Sequence, residues 1–191
     1  MTKLLSFVAI AALLLSACGS YTTYPPTGAG MKFCDCVTSG SDLSPMLVLQ
    51  ACNPDTTGGE LSLELTLESI ENCDAFYEQI RDLQADMNVY RAEEDLAILN
   101  SGGELSEQQA RMAELYQHLI DGEYKAMLEL LPSLYEAQLV DEVTYRWQKS
   151  YAHEQLGQYQ EAIEEFEALK ASTGEEAYSI NIALIRRKQK G

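Results

Sequence analysis

Apolar residues fall along this chain in four patterns, and each predicts a different element. Leu4 to Leu15 is an apolar run of twelve residues interrupted only by Ser6. A bilayer needs about 20 such residues, so the run is too short to span one. It suits the hydrophobic core of an export signal, with Lys3 as its positive flank, and no later stretch is apolar enough to cross a membrane. Further on, Leu61, Leu63, Leu65 and Leu67 alternate with Ser62, Glu64, Thr66 and Glu68. Period two predicts a half-buried strand. Leu and Glu are poor strand formers and a lone strand needs a partner. Met46 to Ala51 offers one, giving a small β-hairpin, although Ser44-Pro45 equally suits the start of a short helix there.

Beyond Ser69 the period changes. Cys73, Phe76, Ile80, Leu83, Met87 and Tyr90 follow at intervals of 3, 4, 3, 4 and 3, the seam of a long helix packed on another helix. Asn100-Ser101-Gly102-Gly103 ends it. Ser106-x-x-Gln109 has the form of a capping box and opens the next helix. From there the sequence repeats itself with a period of 35. Arg111, Tyr116, His118, Gly122, Tyr124, Glu129 and Leu134 recur as Arg146, Tyr151, His153, Gly157, Tyr159, Glu164 and Leu169. Apolar character also recurs at Met127/Ala162, Leu128/Ile163 and Leu131/Phe166. Self-similarity at this period predicts stacked helical hairpins. Thr173-x-x-Glu176 predicts the cap of a last helix from about Glu175 to Lys188, with Tyr178, Ile182 and Ile185 on its inner face.

The second copy carries Leu156-Gly157-x-Tyr159-x-x-Ala162-Ile163-x-x-Phe166, which resembles the tetratricopeptide repeat. The resemblance implies a Gly at the tight turn between two antiparallel helices and a small Ala where they approach most closely. The first copy departs from it: Met127 stands in place of that Ala, and Pro132 inside the second helix is expected to kink or break it. The resemblance covers about seventy residues. It further implies a concave face lined by the first helix of each repeat, suited to binding a peptide. Carried over to this chain, that face comprises Met112, Tyr116 and Leu119 in copy one, and Trp147, Tyr151 and Glu154 in copy two.

Leu15-Ser16-Ala17-Cys18 closes the N-terminal apolar run and resembles the lipobox of bacterial lipoproteins. The resemblance implies cleavage before Cys18 and its acylation with palmitate-type chains, two or more of which anchor a protein stably. Gly19 and Ser20, in place of Asp, imply the outer membrane. The residues then divide as 1–17 signal peptide, 18–31 lipidated tether, 32–68 Cys-containing segment, 69–103 long helix and 104–191 two repeats with a capping helix. Gly19 to Met31 is rich in Gly, Pro, Ser, Thr and Tyr without a period, as a tether should be. Asn53 to Gly59 is dense in turn residues.

Composition narrows the partners. Between Gly19 and Ile185 stand eight basic and all 30 acidic residues, a formal charge of −22, followed by Arg186, Arg187, Lys188 and Lys190. Such a body repels nucleic acid and anionic lipid and favours a basic protein partner, or serves solubility alone. Beyond Cys18 lie Cys34, Cys36, Cys52 and Cys73. In an oxidising compartment they imply two disulfides. Cys34–Cys36 would strain the bond, which leaves Cys34–Cys52 with Cys36–Cys73, or Cys34–Cys73 with Cys36–Cys52. A soft-metal site of Cys34 and Cys36 with Met31 or Met46 is the rival.

Catalysis finds no support. His118 and His153, the only histidines, share one repeat position, which the tetratricopeptide resemblance implies is packed between helices, and no zinc-type spacing surrounds them. No phosphate loop or nucleophile–base set is present, and no cofactor is expected. The expected protein is mainly α: stacked tetratricopeptide-like hairpins, a long helix before them, a capping helix after them, and a small disulfide-stapled N-terminal segment. It is expected to be no enzyme but a lipid-anchored periplasmic adaptor or assembly factor at the outer membrane, binding an envelope protein or peptide. A structural envelope lipoprotein without a client is the alternative, and a small metal-binding protein a third. Trp147 either lines the binding face or packs on the terminal helix near Ile182.

Overall fold

A computed structural model describes residues 33–40, 48, 51–52 and 61–190. Cys18, the tether, the turn-rich Asn53 to Gly59 and most of Met46 to Ala51 lie outside the described residues. Those that are described form eight helices and no strand. They divide into two compact units, residues 1–81 and 82–191.

In the first unit, α1 (Phe33–Ser39) buries Cys36 and Val37. Cys34 stands at disulfide distance from Cys73, and Cys36 from Cys52, with Cα–Cα separations of 5.5 and 5.6 Å. This is one of the two pairings the sequence leaves open. Phe33 meets the buried Phe76 edge to face at 5.4 Å.

The strand expected over Leu61–Glu68 is instead helical, α2 (Leu63–Asn72), and no hairpin occurs among the described residues, where Val48, Ala51 and Cys52 are helical too. Ser62 caps α2, its side chain accepting from the Leu65 amide at 3.1 Å. Without a partner strand the good helix propensity of Leu and Glu prevails. Thr66, Ser69 and Ile70 form the buried face while the alternating leucines are only half-buried.

The long helix does not run unbroken from Ser69. Cys73 is extended, at φ −128° and ψ 104°, and α3 (Asp74–Ser101) begins after it. The predicted seam holds at Cys73 and Phe76 and is half-buried at Ile80, Leu83 and Met87, but Tyr90 is 62 % exposed. A strict 3-4 spacing drifts about 20° per heptad around a straight helix. By this point Val89 and Ala92 have turned inward in place of Tyr90.

The second unit is a helical stack. α4 (Glu107–Ile120), α5 (Tyr124–Glu136), α6 (Glu142–Gln155), α7 (Tyr159–Thr173) and α8 (Tyr178–Lys190) each pack on the next. The 35-residue period is structural, since Glu107 and Glu142 open the first helix of each pair, and Tyr124 and Tyr159 the second. Ser106 and Gln109 form the predicted capping box, and Asp141 accepts from the Thr144 amide at the matching site. At the hairpin turns Gly122 and Gly157 adopt φ of 71° and 73°, a left-handed conformation that costs other residues about 1–2 kcal/mol.

Two boundaries differ from expectation. α5 continues through Pro132 to Glu136 rather than breaking there. Pro132 is exposed, while Leu131 and Leu134 beside it are fully buried and hold the helix against the core. Thr173 does not cap the last helix. It ends α7, donating to the Leu169 carbonyl and accepting from the Glu175 amide, and Gly174 supplies a left-handed C-cap. α8 therefore starts at Tyr178, and Tyr178, Ile182 and Ile185 are buried on one face as predicted.

The core of the stack gathers Leu115, Leu119, Met127, Leu131, Leu134, Val140 and Ala152. One pair of repeat positions sets how closely each hairpin closes. Copy one has Leu115 and Met127, both fully buried. Copy two has Ser150 and Ala162, both at 0 % exposure, and the Ser150 hydroxyl donates to the Ala162 carbonyl at 2.8 Å. Large side chains thus separate α4 from α5, while α6 lies close enough to α7 for a hydroxyl to reach its backbone. The two hairpins should answer opposite substitutions. Met127→Ala should cost about 2–5 kcal/mol through a cavity. Ala162→Met should cost about 1–3 kcal/mol through overpacking. Urea unfolding of both variants checks this.

Candidate partner-binding face

Because α4 and α6 are equivalent helices, the candidate positions fall in register: Met112 with Trp147, Tyr116 with Tyr151, Leu119 with Glu154. Their environments are nevertheless unlike. Leu119 is 3 % exposed within the core, and Met112, Tyr116 and Tyr151 pack against that core as half-buried residues. Trp147 is 7 % exposed and meets Phe166 of α7 edge to face at 5.1 Å, while Phe166 in turn stacks on Tyr178 of α8. Trp147 is therefore a packing residue. Glu154 forms an ion pair with Lys188 near the end of α8, Nζ to Oε1 at 2.8 Å.

The two tyrosines carry the most perturbed chemistry. Burial and the neighbouring Asp95 carboxylate, which the phenol hydrogen-bonds, push the Tyr116 pKa up to about 12. Burial, followed by Tyr124, also raises that of Tyr151. Its phenol hydrogen-bonds Tyr124, whose ring stands edge-on at 5.9 Å, and Asn88 of α3.

Asp95 and Asn88 belong to a set that the sequence pattern does not reveal. Together with Gln84, whose amide donates to Asn181 of α8 at 2.9 Å, they show α3 crossing the face of the stack. Gln84 meets α8, Asn88 meets α6 and Asp95 meets α4. Val89 and Ala92 of the same helix join the core. The face assigned to a partner already holds a helix of this chain. Contacts some 20 to 100 residues apart leave no local signal, which is why periodicity finds the first-helix residues and misses what covers them.

His118 and His153 make one arrangement twice. Each Nδ1 engages the side chain that opens the next helix: Glu123 Oε2 at 2.6 Å and Gln158 Oε1 at 2.7 Å. Glu114 adds a second carboxylate 3.7 Å from His118 Nε2. Both imidazoles thus clasp the hairpin turn. No group of three or more His, Cys, Asp or Glu poised for a metal occurs among the described residues.

Two outcomes follow. Trp147→Ala should lower unfolding free energy by about 3–5 kcal/mol, the range for deleting a core aromatic, in a denaturant titration. The tyrosines set the alkaline limit. A phenol raised from 10.0 to about 12 on folding stabilises the fold fully below pH 10. That contribution is lost as pH rises from 10 through 12, because the unfolded chain ionises first. Melting temperature should fall over that window, and Tyr116→Phe should make the fall shallower.

Comparison with protein-family models, curated proteins and solved structures found no match for this chain.

Proposed function

We propose that this chain is a lipid-anchored protein–protein interaction module of the bacterial envelope. It holds a client at the periplasmic side of the outer membrane as an adaptor or assembly factor. The observation that carries the reading is that the first-helix face of the stack, with Tyr116 and Tyr151 at its centre, accepts a helix: α3 lies across it. A surface that binds one helix through side-chain contacts has the geometry for helix-in-groove recognition.

Three further facts support the proposal. Leu15-Ser16-Ala17-Cys18 has the form of a lipobox, with Cys18 at the position such a motif acylates. No helix among the described residues is long and apolar enough to cross a membrane. The excess of acidic residues between Gly19 and Ile185 steers basic partners toward the body and slows acidic ones.

Site-specific photo-crosslinking in the native cell tests the reading. Probes at Met112 and Tyr151 should give a discrete adduct, and a probe at the exposed Glu164 on α7 should not. Absence of any adduct above background from both face positions would sink it.

A further inference from the structure

Every cysteine beyond Cys18 stands at or before Cys73, and none follows in the helical stack. The two bridges therefore act on the first unit alone. They are unequal in two respects. Cys36 and Cys52 are both buried, as is Cys73, whereas Cys34 is only half-buried. A thiol that attacks a disulfide needs access to one of its sulfurs, and Cys34 is the most open of the four. The loops they close also differ, with sequence separations of 39 and 16 residues. Closure probability falls as about the 3/2 power of loop length, so the wider loop recloses about fourfold less readily once its local packing is lost.

We propose that Cys34–Cys73 is a reducible latch and Cys36–Cys52 a permanent staple. With the latch closed, α1 is held against the residue that precedes α3, and Phe33 lies edge-on to Phe76. With it open, Phe76, fully buried in the closed state, loses that cover. The device switches the packing at the start of α3 and leaves the helical stack untouched.

The reductant is a dithiol, of the kind carried by thiol–disulfide oxidoreductases. One of its thiolates attacks the Cys34 sulfur, the Cys34–Cys73 bond breaks, and Cys73 leaves as a thiolate and takes up a proton. The second thiolate of the dithiol then attacks the mixed disulfide, which releases Cys34 and leaves the reductant as a disulfide. Two electrons pass to the chain and two cysteine thiols form. The reverse sequence recloses the latch. By itself α1, with seven residues, is too short to persist as a helix. After opening it keeps a support. Cys36 remains tied to Cys52, and Gly40, just past the end of α1, lies so close to Val48 that a Cβ there would meet its methyls at 3.1 and 3.2 Å. The freed α1 therefore moves with Val48 and Cys52 as one piece rather than unravelling, and Cys34 stays able to find Cys73 again.

Graded reduction of the purified full chain with dithiothreitol, quenched by alkylation and read by peptide mass, tests the order of opening. Cys34–Cys73 should open at least about tenfold faster than Cys36–Cys52, so that a species alkylated at Cys34 and Cys73 alone accumulates. Hydrogen exchange of that species supplies the second readout. Residues 74–81 should exchange at least about tenfold faster than in the oxidised chain, residues 107–190 should be unchanged, and oxidised glutathione should restore the first rate in the unalkylated chain. Opening of Cys36–Cys52 first or at the same rate overturns the latch. Unchanged exchange at 74–81, lost protection at 107–190 or failure to reclose does so equally. A chain carrying Cys34→Ser and Cys73→Ser repeats the exchange comparison without free thiols, so reshuffling of the bridges does not obscure it. None of these outcomes depends on whether a client exists, which the cellular crosslink decides separately.

Discussion

The left-handed glycine turn, made twice, fixes everything in the helical stack. At Gly122 and at Gly157 the chain reverses, and the next residue's amide closes back on the carbonyl of His118 or His153, at 2.8 and 2.9 Å. The imidazole of the same histidine then holds the side chain of that next residue. With the reversal set, which faces of the two helices meet is no longer free. Leu115 must face Met127, and Ser150 must face Ala162. The size of that pair decides how closely the two helices approach. The candidate face is a by-product of the same turn: it is the side of α4 and α6 that the hairpins do not use.

Much of this was legible from residue order. A period of 35 located both hairpins, their glycines and their capping residues, because each helix pair is stabilised by contacts within about 30 residues. The inner face of α8 was equally readable. The elements that differ from expectation share a cause, which is that a local pattern does not carry its surroundings. Leucines at alternate positions are a strand signal only when a second strand exists. With Ser62 able to cap and only helical residues described nearby, the same residues form α2. Thr173 and Glu176 have capping-box spacing, yet the preceding helix uses Thr173 for its own final turn. Pro132 was expected to interrupt α5, but an exposed proline flanked by the buried Leu131 and Leu134 is carried by its neighbours' packing.

The candidate face was only partly readable, for a different reason. Repeat register identifies which residues of α4 and α6 are equivalent, not which are covered. Trp147 and Tyr151 are four residues apart, and one lies against Phe166 while the other meets α3. Nothing in the alternation of apolar and polar positions separates them. Val89 and Ala92 of the covering helix are apolar, but Gln84, Asn88 and Asp95 are polar and stand outside any hydrophobic periodicity.

The sulfur bridge between Cys34 and Cys73 has a mechanical meaning. It joins α1 to the residue immediately before α3, across a sequence separation of 39. Once that bond is formed, tension applied to the chain ahead of Cys34 reaches α3 through two sulfur atoms rather than through the intervening backbone. The Cys36–Cys52 pair and all of α2 then lie in a closed loop off the line of force. A pull on the chain ahead of Cys34 would arrive at Cys73, next to Asp74, and the loop could be lengthened or cut without changing where it arrives.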